Sequence, residues 1–456
     1  MSHNFAAPGT SRPTSTPAVP EAGTTVGLGG ILAVGIGNAL EFYDFLTFSF
    51  FSIQIGHSFF PEAQGSHGLL YALATFGVGF AMRPLGGFVI GRLGDRAGRK
   101  PAMLLSFSLM GFAILGVVLT PSYARIGIAA PLLLVFFRLV QGFALGGQVG
   151  PSTAYLVEAA PPRRRGLYVA VQNCTADLAV LFAGVVGYVL SRQLSPADLD
   201  DWGWRLAFLI GVAVVPFGLW MRRNLPETAP PPPKEALAAD ESRVTVRIVA
   251  LGLCMLAAGT ISGYVLDYLT TYAQDSLKMS VRLAFVATMV VGLFQAGTDL
   301  FAGWLADRYG RRPVMLTAVG VQVLLTVPLF FAMNHVASVE LAFVAMGVLA
   351  VFNALATVPM LVIITESLPR AARSGTLSMM YACAIAVFGG STQFAVQYLT
   401  NASGSTLAPA WYMTLALLVG GTAGLLSRET RPRATGSGSV TPVEGARSGA
   451  APPHQR

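Results

Sequence analysis

"GRLGDRAGRK" fills residues 91–100 and returns as "GWLADRYGRR" at 303–312. A second pair follows in the same order: "EAAPPRRRG" at 158–166 and "ESLPRAARSG" at 366–375. In that pair Glu158 and Glu366 are each followed by a proline at +3 and an arginine at +7. The spacing between copies is nearly the same in both pairs. Chance supplies one such match, but hardly two in register, so the chain reads as two repeated halves.

The halves are made of oil. Of 456 residues, 54% are apolar and 11% charged, with a mean hydropathy of +0.61. Soluble domains carry about 25% charged residues, so this chain cannot cover a soluble surface and belongs in a lipid bilayer. A spanning helix needs about 20 mostly apolar residues. Twelve stretches qualify, numbered here as spans 1 to 12: 27–56, 68–91, 101–120, 128–157, 166–191, 204–221, 247–273, 282–305, 314–334, 338–365, 375–399 and 408–426. The expected fold is an all-α membrane protein of two six-helix bundles, 27–221 and 247–427. Between them lies a polar linker, 222–246, with four consecutive prolines, a poor helix and a good spacer. Residues 1–26 and 428–456 are rich in Gly, Ser, Pro and Ala and read as disordered tails. The first of them lacks the basic start and apolar stretch of a secretory signal.

Lysine and arginine set the orientation. One side holds Arg92, Arg96, Arg99, Lys100, Arg163 to Arg165, the linker, Arg308, Arg311, Arg312, Arg370 and Arg373. The opposite loops hold only Arg125, Arg192, Arg205, Lys278 and Arg282. The basic side is expected in the cytoplasm, with both termini there. The net charge of +8 thus reflects topology, and no base-reading motif accompanies it, so no nucleic-acid partner is expected. Cys174, Cys254 and Cys383 lie singly in apolar runs, and the five histidines fall in tails and loops. No metal, cofactor or disulfide frame is expected, and a monomer in the bilayer is the expected state. With no phosphate-cradling loop and no nucleophile–base or metal constellation, the chain reads as neither ATP-driven nor an enzyme. Repeated halves with a site between them are a transporter architecture.

The Gly-x-x-x-Asp-Arg-x-Gly-Arg-Lys loop and its second copy resemble the signature of the major facilitator superfamily. "RLVQGFALGG" (138–147) resembles the span 4 motif of its proton-coupled members. "GNALEFYDF" in span 1, "MRPLGG" (82–87), "DWGWR" (201–205) and "FGGS" (388–391) are similar to the metabolite:proton symporter family within it, nearest the citrate, tricarballylate and 2-oxoglutarate carriers. The resemblance implies an inner-membrane carrier that brings a small organic acid into the cell with protons. A zwitterion such as proline or betaine, coupled to protons or sodium, is the alternative. The family also implies that Asp95, Arg96, Arg99, Glu158 and Arg165, with Asp307, Arg308, Arg311, Glu366 and Arg373, form a cytoplasmic gate of ion pairs. Topology alone does not call for the acids in these clusters.

Charged residues inside the spans are the other signal, because an ionised side chain in a bilayer is costly and usually functional. Glu41 and Asp44 stand three residues apart in span 1 and share a helix face. Two carboxylates that close resist ionising together, which makes the pair the expected proton site, with Arg138 of span 4 as its counter-charge. Arg83 lies near the bilayer centre and is expected to clamp a solute carboxylate in a two-point fork; a structural pair with a span 1 acid is the other reading. Gln141, Asn173, Asp177, Tyr268, Gln295, Tyr381 and Gln393 complete the expected solute site. Gln148 stands where relatives commonly have an acid. Asp177, Asp267 and Asp299 interrupt spans 5, 7 and 8 and read equally as wall residues or as packing hydrogen-bond donors. Two interior arginines against five acids weigh against a simple tricarboxylate site unless several acids are protonated.

Overall fold

The computed structural model describes residues 28–60, 66–97, 99–146, 153, 156, 157, 160, 161, 163–213, 215–217, 220, 244–336, 338–369 and 373–431. Within these, side chains are described except at 28–34, 41, 66–67, 91–104 and 373–375. The linker up to 243 and the tails before 28 and after 431 lie outside.

The spans fall where hydropathy places them. Span 1 is two helices, Leu28–Phe50 and Ser52–Phe59. Span 2 is Ser66–Ala81 followed by Arg83–Ala97, and span 3 is Arg99–Leu119. Span 4 is described over Ala129–Leu145, span 5 over Arg165–Gln193 and span 6 over Trp204–Gly211. Spans 7 to 10 are Val246–Asp275, Val281–Tyr309, Arg311–His335 and Val339–Ser367. Span 11 joins Arg373–Ala384 to Gly390–Ser403 through the π-helical turn Ile385–Gly389, and span 12 is Ala408–Leu426. Among the described residues, eight helices are long and apolar enough to cross a membrane.

Local chemistry starts these helices. Thr245, Ser280 and Ser338 accept hydrogen bonds from the Ile248, Leu283 and Leu341 amides, capping spans 7, 8 and 10. Gly310, inside the repeated motif, turns span 8 into span 9 at φ +111°, a conformation that β-carbon-bearing residues rarely adopt. Glu429 then caps span 9, accepting from the Arg311 and Arg312 amides at 3.1 and 2.9 Å. The C-terminal tail, expected to be disordered from 428, therefore begins with a docked residue, because a carboxylate satisfies the free amides and positive dipole of a helix start.

Burial is inverted relative to a soluble protein. Leu119, Leu132, Leu324, Val344, Leu415 and Phe112 are exposed on the outside. The interior holds Asp44, Arg138, Gln141, Asp299, Gln322, Asn353 and Gln393, each 2% exposed or less. Among the described residues two large apolar cores form, one mainly in each half, with a small third cluster of Ala170, Ala302 and Val358 between spans 5, 8 and 10. Small residues let the helices approach. A Cβ on Gly142 of span 4 would lie 1.5 Å from the Gly79 carbonyl oxygen of span 2, and one on Gly86 would lie 1.9 Å from that of Phe143. Such contact between backbones is how membrane helices pack without a hydrophobic drive. Gly142→Ala must push spans 2 and 4 apart. We expect a loss of about 1–3 kcal/mol, read as a lower thermal midpoint in detergent.

The halves meet along spans 5 and 8, which run antiparallel at close range. Gly166 backs on Gly303, Gly292 on Leu181 and Gly187 on the Phe285 ring, so close that a Cβ added to Gly166, Gly292 or Gly187 would lie within 2.7 Å of its neighbour. On the other flank, a Cβ on Gly77 of span 2 would lie 2.1 Å from the Gly390 oxygen of span 11.

Candidate functional site

Asp44 is 1% exposed. Gln141 Nε2 donates to Asp44 Oδ2 at 2.8 Å, and Arg138 Nη1 donates to Gln141 Oε1 at 2.7 Å. The arginine expected at the acid is there, but one amide stands between them. The i, i+3 spacing of Arg138 and Gln141 on span 4 makes this geometry, since both project from one face. Asp44 Oδ1 has no hydrogen-bond partner, which leaves a place for a proton. Aromatic faces hold the rest of the arginine: its guanidinium carbon lies 4.3 Å from the Phe48 ring centre, 5.4 Å from Phe76 and 5.5 Å from Phe45. A desolvated cation gains about 2 kcal/mol from such a face. Glu41, expected as the partner of Asp44, has its side chain outside the described residues.

A cavity of ≈ 180 Å³ lies between the halves, the volume of about six water molecules. Asn173 and Asp177 of span 5, Gln295 of span 8 and Tyr381 of span 11 line it, as expected. Tyr264 and Asp267 join them from span 7, with Phe42 from span 1, Thr260 from span 7 and Thr357 from span 10. Thr260, Thr357 and Phe42 carry no charge to mark them in an apolar run, which is why the sequence does not single them out.

Four residues expected at the solute are not among those lining the cavity. Arg83 sits a layer behind, 4.4 Å over Phe80 and 4.8 Å over Phe45, while Phe80 meets Tyr264 edge-on at 5.6 Å. Of the span 1 acids named in the other reading, a structural ion pair, Asp44 is bonded to Gln141 and Glu41 has its side chain outside the described residues, while phenyl faces of spans 1 and 2 lie against this cation. Gln141 is consumed by the Asp44–Arg138 bridge. Tyr268 donates to Gln397, and Gln393 exchanges hydrogen bonds with Ser49 at 2.6–2.9 Å; both are fully buried. The Tyr268 bond stays within the second half, whereas Gln393 belongs to a set of ties between the halves. Ser49–Gln393, the Ser52–Thr271 hydroxyl pair at 3.2 Å, the Phe51–Phe285 rings at 4.9 Å and Arg282 Nε donating to the Ser191 carbonyl at 3.1 Å all tie one half to the other, away from the repeated motifs.

On the motif face a second set of ties crosses the halves. Arg165 of span 5 pairs with Glu366 of span 10 at 3.4 Å. Arg311 reaches Glu366 at 3.4 Å and Asp307 at 3.1 Å. Asp307 accepts from the Gly166 and Leu167 amides, both at 3.0 Å, and so caps the start of span 5 from span 8. Arg308, expected in this cluster, instead rests on the Trp304 and Tyr309 rings, because its position on the helix turns it outward. Asp95, Arg96, Arg99 and Arg373 have side chains outside the described residues, as does Glu158 entirely.

Just past the apolar stretch 27–56 of span 1, away from the repeated motifs, His57 pairs with Asp200 at 3.0 Å. The hydrogen bond that His57 donates to the Asp200 carboxylate raises the imidazole above its usual 6.5. Folding thus favours the charged imidazole: the tie is complete below the usual value and is lost as pH climbs through the raised one. His57→Gln should lower the thermal midpoint slightly in mildly acidic buffer and leave it unchanged in alkaline buffer. The pair is largely exposed, so the effect is small.

The sequence profile of the Major Facilitator Superfamily matches residues 36–298 and 286–452. The citrate-proton symporter of Klebsiella pneumoniae is 33% identical over 399 residues, 86% of this chain and 90% of that one. The alpha-ketoglutarate permease of Escherichia coli is 33% identical over 404 residues, 85% and 91% of the two chains. Putative proline/betaine transporters of Staphylococcus aureus are 29% identical over 408 residues, 86% of each. In fold, an inward-open xylose transporter of E. coli superposes with a TM-score of 0.71 at 18% identity, covering 88% of this chain and 97% of that one. Repeated motifs, paired helical bundles and these likenesses agree: the chain is a multi-pass membrane protein and a transporter, not an enzyme, and it belongs to the major facilitator superfamily.

Proposed function

We propose that the protein is a proton-coupled symporter that carries a small organic acid, a di- or tricarboxylate such as citrate, into the cell by alternating access. The observation that carries this is the buried Asp44–Gln141–Arg138 relay. An ionised Asp44 balances Arg138 through the amide. A proton on Asp44 removes that balance and leaves an uncompensated cation in the membrane interior, which an anionic solute nearby can neutralise. Proton and anion thereby favour each other, as symport needs. Glu41 shares the face of Asp44 and is the second candidate for the proton.

Asn173, Gln295 and Tyr381 supply hydrogen bonds to the solute, and Arg83 supplies positive potential from behind Tyr264. Relatives named for citrate and alpha-ketoglutarate match at 33%, against 29% for those named for proline and betaine, and this favours the organic acid. The motif-face ties are the cytoplasmic gate, and the Ser49–Gln393 side is the outer one. The basic residues on the motif face place it, and both termini, in the cytoplasm, with the chain in the inner membrane. We expect a monomer.

Uptake into proteoliposomes of radiolabelled citrate, tricarballylate, 2-oxoglutarate, shikimate, proline and betaine, with and without an imposed pH gradient, tests the reading. A gradient-driven accumulation of one acid is expected. Uptake of betaine and of no acid would overturn it.

A further inference from the structure

The relay leaves three interior acids unused. Asp177 of span 5 and Asp267 of span 7 line the cavity. Asp299 of span 8 is 1% exposed, and neither of its oxygens receives a hydrogen bond from any fixed donor. Asp177 and Asp299 stand on the two helices of the seam between the halves, where a Cβ on Gly292 would lie 3.0 Å from the Asp177 carbonyl oxygen, and their carboxyls are close enough to interact. A carboxyl donates only when it holds a proton, so this contact is a bond in one protonation state and a repulsion in the other.

The groups around the pair are acids and a thiol. Cys174 acts on Asp299, and Asp177 acts on Asp267. Span 1 offers Glu41 and Asp44. Spans 9 and 10 carry their titratable groups only near their ends, at Arg311, Arg312, His335, Glu340 and Glu366, and span 6 carries Arg205 at its outer end. No lysine, arginine or histidine acts on either carboxyl among the described residues. No group of three or more acids, thiols or imidazoles there is arranged to hold a metal ion. A proton is the ligand this chemistry suits.

We propose that Asp177 and Asp299 are a proton-binding carboxyl pair across the span 5–span 8 seam, which must hold its proton before an anion can occupy the cavity. One shared proton makes Oδ–H···Oδ between the two helices and leaves the pair with a single negative charge. Losing that proton to water puts two like charges at the cavity wall, which repel the solute and each other. Proton binding then precedes anion binding, and proton release accompanies separation of the halves. This rests on the organic-acid reading above.

Infrared titration of the purified full-length protein reads the pair without any solute. The wild type should show the C=O stretch of a protonated carboxyl titrating with pH. Asp177→Asn/Asp299→Asn should lose a component of it that Asp44→Asn keeps, while Asp44→Asn removes only the component of its own site. Citrate affinity should fall about tenfold per pH unit above the same midpoint in the wild type, as linkage to one proton requires. In the double variant that slope should disappear. Asp299→Glu, which keeps the acid, should restore both signals if the double variant folds poorly. An unchanged band in the double variant overturns the pair, and so does a band that sodium removes at fixed pH. Absence of citrate binding with the band behaving as expected would fault the solute reading and leave the pair standing.

Discussion

Asp44→Asn is expected to abolish uphill uptake while leaving exchange of solute down its own gradient. The asparagine keeps the shape of the carboxyl and an oxygen to accept from Gln141 Nε2, so the 2.8 Å contact survives. It can neither gain nor lose a proton. Arg138 is then permanently without its charge balance, as it is in the protonated wild type, and the carrier is locked in the state that admits an anion. Exchange needs only that state. Accumulation needs the return of the empty, deprotonated carrier, and the variant cannot make it. In vesicles free of internal solute, net uptake should stay at background even with an inward-directed proton gradient. Counterflow of labelled against unlabelled solute should run at a rate near wild type. Because a buried arginine without its acid costs several kcal/mol, reduced expression is expected too, and rates must be scaled to folded protein.

Glu366→Gln is expected to open the motif face. Glu366 is nearly buried and receives Arg165 from one half and Arg311 from the other, at 3.4 Å each. Removing one member of a buried ion pair costs roughly 3–5 kcal/mol, and most of that falls on the state in which the face is closed. The population open on that face should rise by roughly 10²–10³-fold. A cysteine at Thr357, on the cavity wall, reports this. Its alkylation by a reagent added to the motif face should speed up strongly in the Glu366→Gln background. Alkylation from the opposite face should slow, since the Ser49–Gln393 and Ser52–Thr271 ties then stay made. Equal rates in both backgrounds would show that these pairs hold topology and not a gate.

Much of this was legible in the residues. Hydropathy placed the twelve spans because a bilayer demands long apolar helices and little else. The repeated motifs divided the chain because both copies serve the same face. Asp44 and Arg138 stood out because charge inside a span is rare. What the sequence could not reveal was the layer in which each polar residue sits. Arg83, Gln141, Tyr268 and Gln393 were all expected at the solute. One rests on phenylalanines, one bridges the relay, one bonds within its own half, and one ties the halves together. Helical periodicity tells which face a residue occupies, but not which neighbour arrives from another span first. The phenylalanines were visible in "FYDFLTFSFF" (42–51), and their spacing from Asp44 carried the signal: Phe45 and Phe48 are the rings under the arginines. Asp177 and Asp299 lie far apart in sequence, and only the close approach of spans 5 and 8 brings them together.

The central claim is that solute and proton move together through this protein. Proton influx and citrate influx measured simultaneously, in sodium-free proteoliposomes holding a pH indicator, test it most directly. Citrate added outside should acidify the lumen of wild-type vesicles beyond what dissociation of the entering acid accounts for, and should fail to do so with Asp44→Asn. Citrate entry at full rate with no accompanying proton flux in the wild type would contradict the account.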